Sequence, residues 1–582
     1  MQEKEWTIMI YMAGDNNLAV DMAYAMEQIK GVAEEGVDSP NLFVYYDGNS
    51  PAIPTLYCDF SEPNRARYVR SYKLPHKLFT VPKKENENAA NPRSIFNFVD
   101  WCVNRVEVDN GNGEITFGRR AQKYALIFSG HSLGFQDIGL FKDETSGKSM
   151  KMTDFYAVLE GLASNKKQLQ KIADELGFER DDRESETREL LGQKLDILGF
   201  DSCVMGMLEV GYQFNYVAKT MIASEGSVPS AGWTYAKLLG SLAQQRNLDT
   251  PSVAELFVKE FIRSQDSYTI GGVSVDMAAW DLTRFGHLAD AFDGLAEALL
   301  LCFEDESSRI YRQMERVILQ VHWKCQSYMY DQNVDLGDFC ELLELECGRV
   351  AEELGECDSV EVLELVQKQC RKVLKELKKA VILSGFSGGG YQYSNGVSVF
   401  FPWSREAYEV SRKNYESLWF AKDVKRKKLS WTDFLKRYLY EVTLRKFEPP
   451  AVEVPVGERY RYKSGVKFDE RFGTAVFAAA AAVGRIAGQE GSKIAGQEGS
   501  KIAGQEGSKI AGQEGSKIAG QEGSKIAGQE GTKIAGQEGT KIAGQEGSKL
   551  AGGGSSRFFD SLRLFKNIES RWDISGFTKK PE

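Results

Sequence analysis

The chain predicts an α/β protein in which helices cover both faces of a largely parallel central sheet. Three observations carry that expectation. Short apolar strand-like runs alternate with longer helix-periodic runs. Two of the strand-like runs, KYALIFSGHS at Lys123 to Ser132 and LDILGFDSC at Leu195 to Cys203, end on chemically capable side chains, where open α/β sheets place their chemistry. A hydrophobic content of 42% over 582 residues supports a large core and allows two or more domains.

In chain order, Trp6 to Ala13 is a strand run, and Asp15 follows it where it can cap the helix run LAVDMAYAMEQIKGVAEE. Further strand runs lie at Asn41 to Tyr46, Thr55 to Phe60 and Ala66 to Leu74, ahead of a helix run at Pro92 to Val106. The Lys123 strand is followed by a helix run at Asp154 to Leu162. The charged stretch from Ser164 to Gln193 then reads as an inserted, mostly helical and solvated element. From about Leu282 to Ala380 the pattern is helical, which predicts a subdomain packed on the sandwich. Its basic-rich part, Arg371 to Lys379, is a solvated helix face. Strand runs return in VILSGFSGG and GVSVFFP. The chain thus divides into a core at 1–281, a helical subdomain at 282–380, a returning segment at 381–470, an Ala-rich segment at 471–485, repeats at 486–549 and a tail at 550–582.

Cys203 follows the polar pair Asp201 and Ser202 at a strand end, and His131, one of only four histidines, holds the matching place on another strand. Neighbouring strand ends would set the thiol beside the imidazole, the minimal nucleophile and base pair. A free cysteine taken alone is more often a small buried hydrophobe. The polar pair and the matching histidine are what single out Cys203. His76, His287 and His322 lie in loop-like or helix-like runs and read as structural.

Beyond that spacing, the chain resembles the clostripain-like cysteine peptidases, a bacterial and archaeal branch of the caspase, legumain and gingipain clan. The likeness runs from about Trp6 to about Leu439. It rests on IMIYMAGDNNL from Ile8, FSGHS around His131, LGFDSCVMGMLEV from Leu198 and IASEGSVPSAGWTY from Ile222. VDMAAWDL from Val275, VDLGDF from Val334, GVSVFFP from Gly396 and SWTDFL from Ser430 extend it. The resemblance implies a caspase-like α/β/α sandwich, to which this chain adds a helical subdomain and a C-terminal octapeptide-repeat extension. It also implies a cysteine endopeptidase that cuts after Arg or Lys.

Position by position, the resemblance makes Cys203 the nucleophile and His131 the general base or acid, a dyad. Asp201 would lie at the base of the primary specificity pocket and pair with the guanidinium or ammonium before the scissile bond. By type and place alone it fits a helix N-cap equally well. An imidazolium and a helix starting just after Cys203 would both lower the thiol pKa. Backbone N–H groups of Cys203 and Ser132 would hold the oxyanion. Here the sequence departs from the family pattern of His followed by Gly, and the Ser132 side chain restricts a backbone that Gly would leave free. Many relatives are activated by a cut between the histidine and cysteine strands. That points to Lys148 or Lys151 in DETSGKSMK, with Arg180, Arg183 and Arg188 in the insert as further basic sites. No cofactor or metal is expected. Some relatives need calcium, but no D-x-D-x-D-G loop is present, so a calcium requirement stays open.

A net charge of −10 without an extended basic run argues against a nucleic-acid binder. The acidic start MQEKEWTIMIYMAG is not a secretory signal, and nine scattered cysteines without C-x-x-C pairs favour reduced thiols, so a cytoplasmic location is expected. The run AVFAAAAAVG is far shorter than the ~20 residues of a membrane span. From Ile486 to Lys549 the octapeptide IAGQEGSK repeats eight times, with Thr532 and Thr540 replacing Ser. Its period drifts about 80° per unit around a helix, which leaves a flexible linker or a short-period β-solenoid. Every unit also offers a Lys to an Arg/Lys-directed peptidase. In the tail, Phe558, Leu562, Phe565, Ile568 and Trp572 share one helical face, fit to dock on a partner or membrane, or to fold back on the peptidase. Three function classes result: an active endopeptidase acting on proteins or peptides, a catalytically weak scaffold on a peptidase fold, and an assembly protein working through its repeats.

Overall fold

A computed structural model of the chain describes residues 4–34, 40–48, 55–61, 87–103, 121–137, 139–164, 191–245, 248–265, 273–328, 332–355, 360–422, 429–442 and 577–578. The first half alternates as expected: β1 (Lys4–Gly14), α1 (Ala19–Glu34), β2 (Asn41–Gly48), β3 (Leu56–Asp59), α2 (Pro92–Val103), β4 (Ala121–Ser129), α3 (Met152–Ala163) and β5 (Leu195–Asp201). It continues with α4 (Leu208–Phe214), β6 (Ala218–Ala223), α5 (Tyr235–Gln244), α6 (Thr250–Ser264) and β7 (Val275–Asp281).

The central sheet runs β3, β2, β1, β4, β5, β6, β7 and then two later strands, β10 (Val381–Ser387) and the edge pair of residues β12 (Phe577–Thr578). Its middle five strands are parallel, from β2 through β6. The pairings of β3, β7, β10 and β12 are antiparallel. Parallel neighbours need crossovers through helices, and helices on both faces demand strands that are apolar on both sides. β1 meets this demand: Ile8, Ile10 and Met12 enter the core beneath α1, α5 and α6, whereas Met9, Tyr11 and Ala13 enter the opposite core. The same alternation recurs in β4, with Ala125 and Ile127 on one face and Tyr124, Leu126 and Phe128 on the other.

The second half supplies α7 (Phe285–Leu301), α8 (Arg309–Lys324), α9 (Leu336–Leu354) and α10 (Val360–Ala380). Between α8 and α9 lie two short strands, β8 (Ser327–Tyr328) and β9 (Asn333–Asp335), which helical periodicity did not reveal because each is three residues or fewer. With β11 (Ser398–Phe400) they form a separate sheet in the order β11, β9, β8. These helices share one continuous core with the sheet face that carries Tyr11 and Phe128. Asp335 begins α9 by accepting from the Asp338 N–H, an acid N-cap whose side chain satisfies an orphan donor.

Asp15 does not cap α1. It accepts instead from the Thr145 N–H, and Asn16 makes a local turn ahead of the helix, its Oδ1 accepting from the Leu18 N–H at 2.9 Å. The strand expected at Ala66 to Leu74, nearly all of the insert from Ser164 to Gln193, the Ala-rich segment, the repeats and the helical part of the tail lie outside the described residues. No helix among the described residues is long and apolar enough to cross a membrane.

Candidate active site

Parallel pairing of β4 with β5 places Ser129 opposite Asp201. The two chains leave the sheet together, Gly130 N–H donating to the Asp201 carbonyl at 3.3 Å. His131 and Cys203 each lie two residues beyond that pair, and both line one cleft with Ser129, Asp201, Ser202, Val228 and Gly232. The register therefore brings together the three residues that the sequence singles out.

In this arrangement the thiol and the imidazole are both neutral. Burial pushes the Cys203 thiol up to about 11, partly offset by the Val228 N–H that donates to its sulfur at 3.3 Å. Burial, with help from the Lys142 ammonium, lowers the His131 imidazole to about 4. The helix expected just after Cys203 starts only at Leu208, behind an extended Met207, so no helix N-terminus adjoins the sulfur. Val204 takes that place at φ 60, a left-handed conformation strained for a β-branched residue. The Gly226 carbonyl accepts from its N–H at 2.8 Å and holds it there.

His131 Nε2 donates to Asn17 Oδ1 at 2.7 Å, which leaves Nδ1 as the basic nitrogen of the neutral ring. Sequence reasoning passed over Asn17, although the polar run Asp15 to Asn17 at the end of a buried strand was the available signal. Ser132 sits without a positive φ, so the side chain costs the backbone nothing there. Its hydroxyl donates to the Cys203 carbonyl at 2.6 Å and ties the two strand ends together.

Asp201 is buried and caps no helix. Its Oδ1 accepts from the Trp233 N–H, and its Oδ2 accepts from the Ser129 and Tyr235 hydroxyls, each at 3.0 Å. Burial raises its carboxyl to about 6 against the pull of those donors. Gly232 makes the cleft reach it: at φ +62, a Cβ there would lie 2.6 Å from Asp201 Oδ2.

Lys148 is exposed and closes a tight turn, pairing its backbone with Asp143. Lys151 is also exposed, but the next residue, Met152, is buried at the start of α3. At the base of the same turn, Asp15, Asp47 and Asp143 bring carboxylate oxygens within 4.8 Å of one another. Asp15 Oδ1 and Asp47 Oδ2 are buried without a hydrogen-bond partner, and burial lifts Asp47 to about 8. No cation pairs with the three among the described residues. An all-carboxylate set fits a hard divalent ion such as calcium and is a poor match for soft metals.

A sequence model of the clostripain family matches residues 10–438. The chain belongs to the clostripain family. Clostripain from Hathewaya histolytica is 23% identical over 340 residues, which cover 50% of this chain and 55% of that protein, so the match spans about half of its length. Among solved structures, an inactive zymogen C11 protease from Parabacteroides distasonis has 17% identity and a TM-score of 0.45, covering 73% of this chain and 99% of that one. A secreted C11 cysteine protease from Bacteroides thetaiotaomicron, solved with an irreversible peptide inhibitor, has 16% identity, a TM-score of 0.41 and coverage of 72% and 99%.

For this clostripain-family cleft, a neutral thiol makes a direct prediction. Alkylation of Cys203 by iodoacetamide, followed at the peptide level, rises about tenfold per pH unit from pH 7 to pH 9, because only the thiolate reacts. A rate already flat at pH 7 would reveal a preformed thiolate and contradict the neutral pair.

Proposed function

We propose that the protein is a cysteine endopeptidase that cuts after Arg or Lys, with Cys203 and His131 as its catalytic dyad. The observation that carries this reading is the register that sets both residues at adjacent strand ends above a buried, cleft-lining carboxylate. Nδ1 of His131 takes the thiol proton as the sulfur attacks the peptide carbonyl, the carbonyl π electrons moving onto oxygen. The Cys203 and Ser132 amides stabilise that oxygen. Collapse of the intermediate breaks the C–N bond, the imidazolium gives its proton to the leaving amine, and water then hydrolyses the thioester. Asn17 fixes the ring throughout, as a partner on the far nitrogen sets the tautomer.

Asp201 gives the substrate cation its counter-charge. Because its carboxyl sits at about 6, an entering guanidinium must bind the ionised form, and affinity for basic substrates falls as the pH drops through that value. With fluorogenic Arg and Lys peptides, KM therefore rises below pH 6 in the parent and stays flat in Asp201→Asn, whose preference for basic residues is lost. Cys203→Ala and His131→Ala lower kcat by at least about a thousandfold with the fold intact. Full turnover by Cys203→Ala would defeat the assignment.

Self-cleavage activates the chain, and the exposed turn favours the bond after Lys148 over the one after Lys151, whose far side is buried. The neutral dyad supports a chain of low activity until that cut is made. N-terminal sequencing of purified parent protein finds a fragment beginning at Ser149, absent from Cys203→Ala. A fully active, uncut chain would sink this part alone.

Calcium, where the family resemblance leaves the matter open, would be held by Asp15, Asp47 and Asp143 as a clamp between the ends of β1 and β2 and the Lys148 turn. Binding requires the ionised carboxylates, and Asp47 ionises only near pH 8. Millimolar calcium therefore raises the melting temperature of Cys203→Ala more at pH 8.5 than at pH 6. Adding Asp47→Asn removes the shift, and equal shifts in both proteins would place the ion elsewhere.

A further inference from the structure

The wall opposite Cys203 is a backbone segment, residues 224 to 228, that no helix or strand contains. Two of its groups touch the nucleophile's surroundings: Val228 N–H donates to the Cys203 sulfur at 3.3 Å, and the Gly226 carbonyl accepts from Val204 N–H at 2.8 Å. The segment is held in turn by one buried side chain on β7. Asp276 Oδ1 accepts from Gly226 N–H at 2.9 Å and from the Ser224 hydroxyl at 2.8 Å, and its Oδ2 accepts from Glu225 N–H at 2.7 Å. Three donors converge on one carboxylate, a pattern that fixes a loop more firmly than neutral hydrogen bonds do. On the other side, Gly206 packs so closely that a Cβ would lie 2.5 Å from the Glu225 nitrogen. The segment has little room to shift.

We propose that Asp276 is a positioning residue for the nucleophile, its carboxylate holding Ser224 to Gly226 so that Val228 cradles the Cys203 sulfur and Gly226 keeps Val204 in its strained conformation. The proposal rests on the reading of Cys203 as nucleophile. Asp276 touches no substrate and takes part in no bond change; it acts through the two contacts that set where the sulfur points. A displacement of about 1 Å at a reacting atom is enough to cost about a hundredfold in rate. Glu225, its carboxyl pushed well above the usual carboxylate range by burial and by the Asp335 and Asp276 charges, supports the same segment from behind by accepting from the Gly396 N–H at 2.8 Å.

Asp276→Asn is isosteric but turns an N–H donor toward backbone donors, so it loosens the segment without emptying the site. Competent sites are counted by titration with an irreversible inhibitor built on an Arg peptide, which must occupy the folded cleft before it reacts with Cys203, and kcat is expressed per competent site. The expected result is a fall in kcat of about ten- to a hundredfold, with KM for an Arg peptide and the Arg/Lys preference within about threefold of the parent. A purely structural residue would lower the number of competent sites and leave kcat per site alone. A kcat per site within about threefold of the parent overturns the proposal. Where Asp276→Asn does not fold, Ser224→Ala removes one of the three bonds and lowers kcat per site by about fivefold, the worth of one hydrogen bond; a parental value there also overturns it. Failure of the underlying reading is separately visible, as activity surviving in Cys203→Ala.

Discussion

The pairing of β4 with β5 is the constraint on which the rest of the molecule depends. Side chains alternate along a strand, so a slip of one residue would turn Asp201 away from the cleft and carry the chain beyond it out of place. Burial on both faces forbids the slip: Leu126 and Phe128 belong to one core and Ile127 to the other, with Leu198, Phe200 and Ile197 answering them on β5. The Ser129 hydroxyl, donating to Asp201 at the register pair, adds a polar lock at the point where the strands give way to the cleft. The Ser132 hydroxyl adds a second beyond it.

That pairing aims the thiol and the imidazole, but later parts of the chain decide what they can do. Tyr235 and Trp233 hold Asp201, Val228 holds the sulfur, and Asp276 holds the segment that carries Val228. Behind them Asp335 binds both the start of α9 and the Asn395 amides, joining the helical half of the chain to the cleft. Each of these carboxylates is buried and pushed upward by that burial. They are tolerated because backbone N–H groups and hydroxyls satisfy them, the arrangement a buried polar group requires.

Much of this was legible in the sequence, and the reasons for the remainder are physical. The central strands announced themselves because strands buried on both faces must be apolar along their middles, as Ile8 to Ala13 of β1, Tyr124 to Phe128 of β4 and Ile197 to Phe200 of β5 are. The places of His131, Asp201 and Cys203 at strand ends followed from the same runs. The apolar run GVSVFFP likewise marked β11, but periodicity could not reveal β8 or β9, since two or three residues between helices contain no period. Nor could local sequence show that Asp15 turns away from α1, because an acid in that place can serve as a cap and only the distant Thr145 amide draws it elsewhere. The helix expected at Cys203 failed for a related reason. MGMLEV has helical character, yet a tertiary contact, Gly226 with Val204, pulls the first residues after the cysteine into another conformation. The contacts of Asn17 with His131 and of Asp276 with the segment beside Cys203 were invisible because only the folded chain brings those residues together.

The neutral dyad sets the energetic problem that the proposed activation must solve. Moving a proton from a thiol at about 11 to an imidazole at about 4 costs about 10 kcal/mol at roughly 1.4 kcal/mol per pKa unit. The attraction of the resulting ion pair offsets part of that cost. Burial is the main cause of both shifts, and the loop joined to His131 by the Phe141 N–H adds to the second: Lys142 opposes the imidazolium more than Glu144 in the same loop favours it. That loop runs on into the turn bearing Lys148. A cut after Lys148 would release one end of the segment that holds the Lys142 ammonium near the imidazole, raising its basicity. The proposed processing bond is thus mechanically connected to the imidazole whose low proton affinity would limit the proposed dyad.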